Sequence, residues 1–451
     1  MRSRCLSVRF ILPLLAALLA CSGAAQGAER PAKKPVPNYD GRPPPPTTAG
    51  DVAIWIPRVL ASPFYGVSEY VLRRPLGALV TVAERDHWPA AILGFFTFGA
   101  EQKVGVIPTA LLDFGFKPSV GLYFFWDDAL AKGNAVRVHA STWGADWLSG
   151  SVADRIPILG DDASLLLRLE GVRRPDYVFH GLGPRSGAER TRYSADKLDA
   201  RAAFAIRGWR ASSLSTSVGF RDMHFADKGC CDDPTIGEGA ALGRYELPEG
   251  FETGYSIAYQ RVEAAVDTRT KRPAPGSGMR LELEGEQGVS VPGHGADHWM
   301  RYGGTLGAFL DLTNRWRVLS FAVTTLFVDP VGQRSTVPFT EAISLGGSGP
   351  MRGFLAGRLI DRSAAVATLQ YQWPIWVWLD GAMQLAAGNV FGEHLSGFEP
   401  ALCRLSWSLG LRTVGSPDHA FEVLGGFGTE TFKDGARVSS ARIVVGATRG
   451  F

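Results

Sequence analysis

The chain has 451 residues, 45% of them apolar and 11% aromatic, with 54 glycines. Glycine weakens the interiors of regular elements while aromatic and β-branched residues favour strands, so this mixture suggests many strands and turns rather than helical packing. Its 47 basic and 44 acidic residues leave a net charge of +3, too even a balance for a nucleic-acid-binding surface.

Arg2, Arg4 and Arg9 precede an uncharged run from Phe10 to Ala20 and small residues from Cys21 to Ala25. That is the layout of a secretory signal peptide, placed at residues 1–28. Leu18-Leu19-Ala20-Cys21 also fits a lipoprotein cleavage box that would leave Cys21 lipidated, while Gly23-Ala24-Ala25 fits an ordinary cleavage site. Beyond the leader only Cys230, Cys231 and Cys403 remain, too few for a disulfide scaffold. Neighbouring cysteines bridge only with strain, so Cys230 and Cys231 read as an unbridged pair in a polar loop.

Residues 29–50 are rich in proline and charge with almost nothing to bury, which predicts an extended linker. In residues 51–104 the period becomes helical: Ile56, Val59, Leu60, Phe64, Val67 and Val71 share a face, interrupted by Pro57, Pro63 and Pro75. Short amphipathic helices are expected there, lying on a membrane or at the mouth of a larger body.

From about residue 119 the period falls to two. Val136, Val138 and Ala140 alternate with Arg137, His139 and Ser141; Ala202, Phe204 and Ile206 alternate with charged Arg201 and Arg207. Near residue 280 the contrast is strongest, since Leu281 and Leu283 alternate with Arg280, Glu282, Glu284 and Glu286. Sixteen such segments run from 119–127 to 440–451, with the eleventh at 338–346 and the twelfth at 363–376. Their lengths match the 9–11 residues or so of a tilted membrane strand, and long connections alternate with short ones. The expected fold is all-β: a 16-stranded antiparallel transmembrane β-barrel over residues 105–451, preceded by short helices. A helical span is excluded even in the most apolar stretch, Trp373 to Phe391, because Pro374, Asp380, Gly381 and Gly388 interrupt it. Gly446 and the terminal aromatic Phe451 fit the last-strand signal by which outer-membrane barrels are assembled.

Between the eleventh and twelfth segments stands Gly346-Gly-Ser-Gly-Pro-Met351-Arg352-Gly353-Phe354. With Phe179-His180-Gly181-Leu182-Gly183, Asp267-Thr268-Arg269 and Gln370-Tyr371-Gln372-Trp373-Pro374, it resembles the BamA/TamA family of outer-membrane barrels, the bacterial surface antigen family. The resemblance covers about residues 105–451. It implies a sixth external loop folded back into the lumen, with Arg352 locked to acids on the twelfth and thirteenth strands. Those positions here are Gln370 and Ala386, so Asp361, Glu282, Glu284 and Glu286 become alternative partners for the arginine. The family's periplasmic POTRA modules have no counterpart in the helical pattern of residues 51–104.

The resemblance further implies insertion or translocation of membrane proteins, through a seam between 119–127 and 440–451. A passive or substrate-specific pore is the alternative reading, and an outer-membrane enzyme a third. No catalytic set, metal site or cofactor motif is legible; His294, Asp297 and His298 share a glycine-rich turn without a third ligand nearby. The expected location is the outer membrane of a Gram-negative bacterium. Expected partners are its lipids, the barrel assembly machinery, and client proteins or a periplasmic protein.

Overall fold

The computed structural model describes Arg85 and residues 94–99 and 101–449, apart from 161, 270–275, 292–296, 314–315, 377–378 and 415–418. Cys21, the linker, nearly all of the expected helical segment, His294 and Phe451 lie outside the described residues.

Sixteen long strands follow in chain order, each antiparallel to the one before, until the last meets the first. They are β1 (Val104–Asp113), β2 (Ser119–Asp127), β3 (Ala135–Thr142), β4 (Leu148–Pro157), β5 (Ala163–Phe179), β6 (Thr191–Arg207), β7 (Ser213–Ala226) and β8 (Tyr255–Asp267). The second half is β9 (Gly278–Ser290), β10 (His298–Asp311), β11 (Val318–Pro330), β12 (Ser363–Trp376), β13 (Leu379–Phe391), β14 (Arg404–Thr413), β15 (His419–Thr429) and β16 (Val438–Arg449). Among the described residues no helix is long and apolar enough to cross a membrane. The short helix α1 (Ile236–Ala241) is closed at its start by a capping box between Thr235 and Glu238.

The alternation read in the sequence decides which face is which. On β9, Leu283 is 53% exposed whereas Glu286 is 4% exposed, so the apolar row points outward and the charged row inward. Leu122 on β2, Val218 on β7 and Ile443 on β16 extend the same exposed apolar band around the wall. A soluble protein does not leave so much contiguous apolar surface in water, and a barrel in lipid requires it. Closure pairs the strand backbones with one another, as lipid demands.

Two expectations are corrected. The first strand is Val104–Asp113, not 119–127: Pro108 interrupts that run and argues against an interior strand, and the structure uses it as the edge where the barrel closes. The segment 338–346 is not a wall strand. Phe339–Glu341 form a 3₁₀ turn, and Ile343–Leu345 pair with Leu359–Asp361 in a ribbon inside the connection between β11 and β12. Its apolar alternation serves the interior of the mouth rather than lipid, since Phe339, Ile343 and Leu345 are all buried. The two corrections cancel, so the count remains sixteen and Met351 to Phe354 still follow the eleventh strand.

The longer connections share one rim: L3 (residues 180–190), L4 (227–254), L6 (331–362), L7 (392–403) and L8 (430–437). Their apolar residues meet inside that rim. The ring of Phe339 from L6 lies 5.7 Å from Phe179, 5.4 Å from Tyr193 and 6.2 Å from Phe251. Met351, Phe354 and Leu359 belong to the same buried cluster, which therefore fills the mouth with L6 as its centre. In L4, Cys230 and Cys231 form a disulfide, contrary to the expectation of an unbridged pair; Cys231 accommodates it in the left-handed backbone region at φ 68°.

Candidate functional site: an inner loop and a short seam

L6 crosses the mouth and is held on opposite walls. On one side the Glu341 carboxylate, almost fully buried, receives Arg221 of β7 at 2.8 Å and the Tyr255 hydroxyl of β8 at 2.6 Å. Arg301 of β10 lies 3.5 Å away and also donates to the Glu341 carbonyl. Burial by itself would raise this carboxyl's pKa, but the Arg221 and Arg301 guanidiniums outweigh it and hold it below its ordinary value.

On the other side Met351-Arg352-Gly353-Phe354 lies flat against β14, β15 and β16. Arg352 pairs with Glu422 of β15 at 2.5 Å. The Gly353 amide donates to Ser406 Oγ of β14 at 2.8 Å, and Ser440 Oγ of β16 donates to the Gly353 carbonyl at 3.1 Å. Only glycine fits at 353, since a Cβ there would stand 2.1 Å from the Phe427 carbonyl oxygen. The Phe354 ring occupies the space that any side chain at Gly428 would need. Further along L6, Arg358 donates to Ser186 Oγ of L3 at 2.9 Å. Arg404 of β14 donates to the Ser186 carbonyl at 3.0 Å and pairs with Glu430 of L8 at 2.5 Å. Burial first, and then Arg404, press the Arg358 guanidinium down to a pKa of about 10.

The acids considered from the sequence lie elsewhere. Glu282 pairs with Arg280, Glu284 with Arg261 at 2.8 Å, and Glu286 lies 3.5 Å from Arg261. Asp361 accepts from the Arg362 amide at 2.8 Å, and Gln370 faces Gln384 at 3.5 Å. The carboxylate that Arg352 meets is Glu422, which was not among the expected partners. Its signal in the sequence is a single acid between Phe421 and Val423, on the inward face of an otherwise neutral stretch of strand.

The barrel closes over a short stretch. β15 and β16 pair along His419–Thr429, whereas among the described residues β16 and β1 pair between Val444–Gly446 and Leu111–Asp113. The Phe114 amide adds one hydrogen bond to the Ile443 carbonyl at 2.9 Å. Antiparallel pairing alternates, so working back from Phe114 the amides of residues 112, 110 and 108 turn toward β16. At 108 that residue is proline, which has no N–H to offer. Near the start of β1, Thr97 and Phe98 pair with Gly105 and Val104 on the same edge. Gly446 sits at the junction with φ 150°, where a Cβ would stand 2.3 Å from the Ala110 carbonyl oxygen.

Beside L7, Asp329, Glu393 and His394 approach one another closely enough to share an ion. Arg362 lies 3.3 Å from Asp329 and 3.7 Å from Glu393, so a guanidinium already supplies the charge these carboxylates need. His298 faces Gln287 at 2.7 Å.

Residues 255–415, from β8 to β14 and including all of L6, match the Omp85 superfamily domain. Among solved structures, BamA from Haemophilus ducreyi lacking POTRA domains 1–3 is similar with a TM-score of 0.53 and 13% identity, covering 76% of this chain and 70% of that one. CdiB from Acinetobacter baumannii aligns with a TM-score of 0.48 and 12% identity over 77% of this chain and 60% of that one. CdiB from Escherichia coli gives 0.49 and 12%, over 76% and 62%. No curated protein sequence matches.

Proposed function

From a chain that carries the Omp85 superfamily domain in a barrel of the BamA fold, we propose a protein that inserts or translocates other proteins across the outer membrane of a Gram-negative bacterium. The observation that carries this reading is the short β1–β16 pairing, three register positions among the described residues, with Pro108 further along the same edge of β1 unable to donate. A strand edge held so briefly can separate and offer its backbone to a client strand, the edge-pairing mode by which extended segments are recognised. L6 and the mouth core keep the lumen filled meanwhile, so the client leaves through the wall into lipid rather than through a standing pore. On this reading the long connections face outward and the short turns face the periplasm. The partners are outer-membrane lipids, an unfolded client, and the assembly machinery that would read Gly446 and the terminal residue Phe451. A separate periplasmic protein would deliver the client.

The test joins the walls. In a Cys403→Ser background, a Leu112→Cys, Val445→Cys pair placed at facing positions of the seam is oxidised in proteoliposomes, and folding of an added unfolded outer-membrane barrel is followed. The expected result is client folding that stops on oxidation and returns on reduction. Client folding that continues through the locked seam overturns the proposal. Steady single-channel conductance of the intact protein in planar bilayers, together with unaffected client folding, would establish the pore reading instead.

A further inference from the structure

Arg442, on the inward face of β16, has no part in the loop motif and is buried. Its guanidinium faces two ways. Nε and Nη2 donate to the Asp113 carboxylate of β1 at 3.1 and 2.8 Å, a fork-to-carboxylate pair across the seam. Nη1 donates to the Gly347 carbonyl and, at 3.3 Å, to the Arg352 carbonyl, both on L6. The side chain that closes the last ladder is therefore oriented by the loop that fills the lumen.

We propose that Arg442 is the positioning residue that makes loop docking and seam closure a single equilibrium. With L6 seated, two carbonyls fix the guanidinium plane so that its other edge meets Asp113 in register. When L6 lifts, the guanidinium loses its orienting acceptors and the bidentate pair at the seam weakens. When the seam parts, Asp113 withdraws and the loop loses a donor shared by Gly347 and Arg352. A coupling of this kind is reciprocal by thermodynamic necessity. Lysine cannot replace arginine here, because a single ammonium lacks the planar fork that serves both edges at once. The inference rests on the seam being the working site, but its measurement does not require a client.

The experiment is a double-mutant cycle read by hydrogen exchange in lipid nanodiscs. Deuterium uptake is followed at the seam amides of Leu112 and Phe114 in the native protein, Glu422→Gln, Arg442→Leu and the combination. Glu422 also faces Gly446 across β15–β16, so the Arg442→Leu background separates a direct effect on the seam from one carried by the loop. Glu422→Gln is expected to speed seam exchange about fivefold when Arg442 is present and to leave it nearly unchanged in the Arg442→Leu background, a coupling of about 1 kcal/mol. Arg442→Lys should exchange like Arg442→Leu in its indifference to Glu422→Gln. Equal acceleration by Glu422→Gln in both backgrounds overturns the proposal, as does no acceleration in either while L6 amides exchange faster. Retarded migration after heating in detergent verifies that each variant is a folded barrel. If coupling is found but the locked seam still folds clients, the functional reading fails and the coupling stands.

Discussion

The wall at β5–β6 and the junction at β16–β1 are built from the same kind of strand, yet they differ in every quantity that holds strands together. β5 and β6 pair along nearly their whole lengths, Ala163–Phe179 against Thr191–Arg207, and carry the Tyr177–Tyr193 stack at 5.3 Å near the rim. Among the described residues β16 and β1 share three register positions, the Phe114–Ile443 hydrogen bond and one arginine–carboxylate pair. In a closed barrel each strand needs two neighbours, so a weak junction can exist only if the rest of the ring is strong enough to hold it. The two anchors of L6 follow the same division. Glu341 grips the well-paired wall through three strands, while Arg352 and Gly353 grip the strands leading to the junction.

The largest way to break this contrast is at Glu341. Glu341→Ala removes the carboxylate that half-buried Arg221 and Arg301 share, leaving Arg221 with Asp199 at 2.9 Å, and loss of such charge-assisted hydrogen bonds costs about 1.5–3 kcal/mol. Urea unfolding in detergent micelles should register that loss, with an intact β16–β1 junction in the remaining folded fraction.

Next is Gly353→Ala. The added methyl would meet the Phe427 carbonyl, so L6 must lift on the seam side, at a cost of about 1–3 kcal/mol for overpacking. Planar-bilayer recordings should show conductance where the native protein is silent, and unchanged silence would contradict the seating described for L6.

Acid should then loosen the rim before the wall. His180 in L3 is held down to a pKa of about 3 by burial and by Arg358, so it is neutral when folded. An unfolded histidine takes its proton near pH 6.5, so stability from this group is lost as pH falls from about 6.5 toward 3. Glu341, held below its ordinary value of 4.5, adds a second loss as pH falls through the carboxylate range. Exchange at L3 and L6 amides should accelerate in that order, with the β5–β6 ladder unaffected.

The smallest effect sharpens the contrast. Pro108→Val restores a donor facing β16, and one added ladder hydrogen bond is expected to stabilise the seam by about 1 kcal/mol. Seam exchange should slow, and client folding with it.

How much of this was legible depends on the range of the interaction. The wall was readable because Leu281, Leu283 and their charged neighbours state inside and outside locally, strand by strand. β1 was missed because Pro108 is a reason against a strand everywhere except at an edge, and edges are not visible before closure. Residues 338–346 were read as wall because a strand that alternates toward a protein core has the same period as one that alternates toward lipid. The partner of Arg352 was not readable: Glu422 lies 70 residues away, and a lone inward acid in a neutral strand does not name what it pairs with. Arg442 was beyond reach for the same reason, since its carboxylate is separated from it by 329 residues.

That separation bears on how the barrel is made. Gly353 can seat only on β15, Ser440 reaches it from β16, and Arg442 needs both L6 and Asp113, so the loop has no finished bed until the last strand is in place. Contacts between residues so distant in the chain carry the largest loop-closure entropy and form slowly. Ring closure and the final seating of L6 should thus be one late step in biogenesis, and an assembly intermediate stalled before it would be a curved sheet of fifteen strands whose sixth loop, held by Glu341 and Arg352, still lacks Ser440 and Arg442.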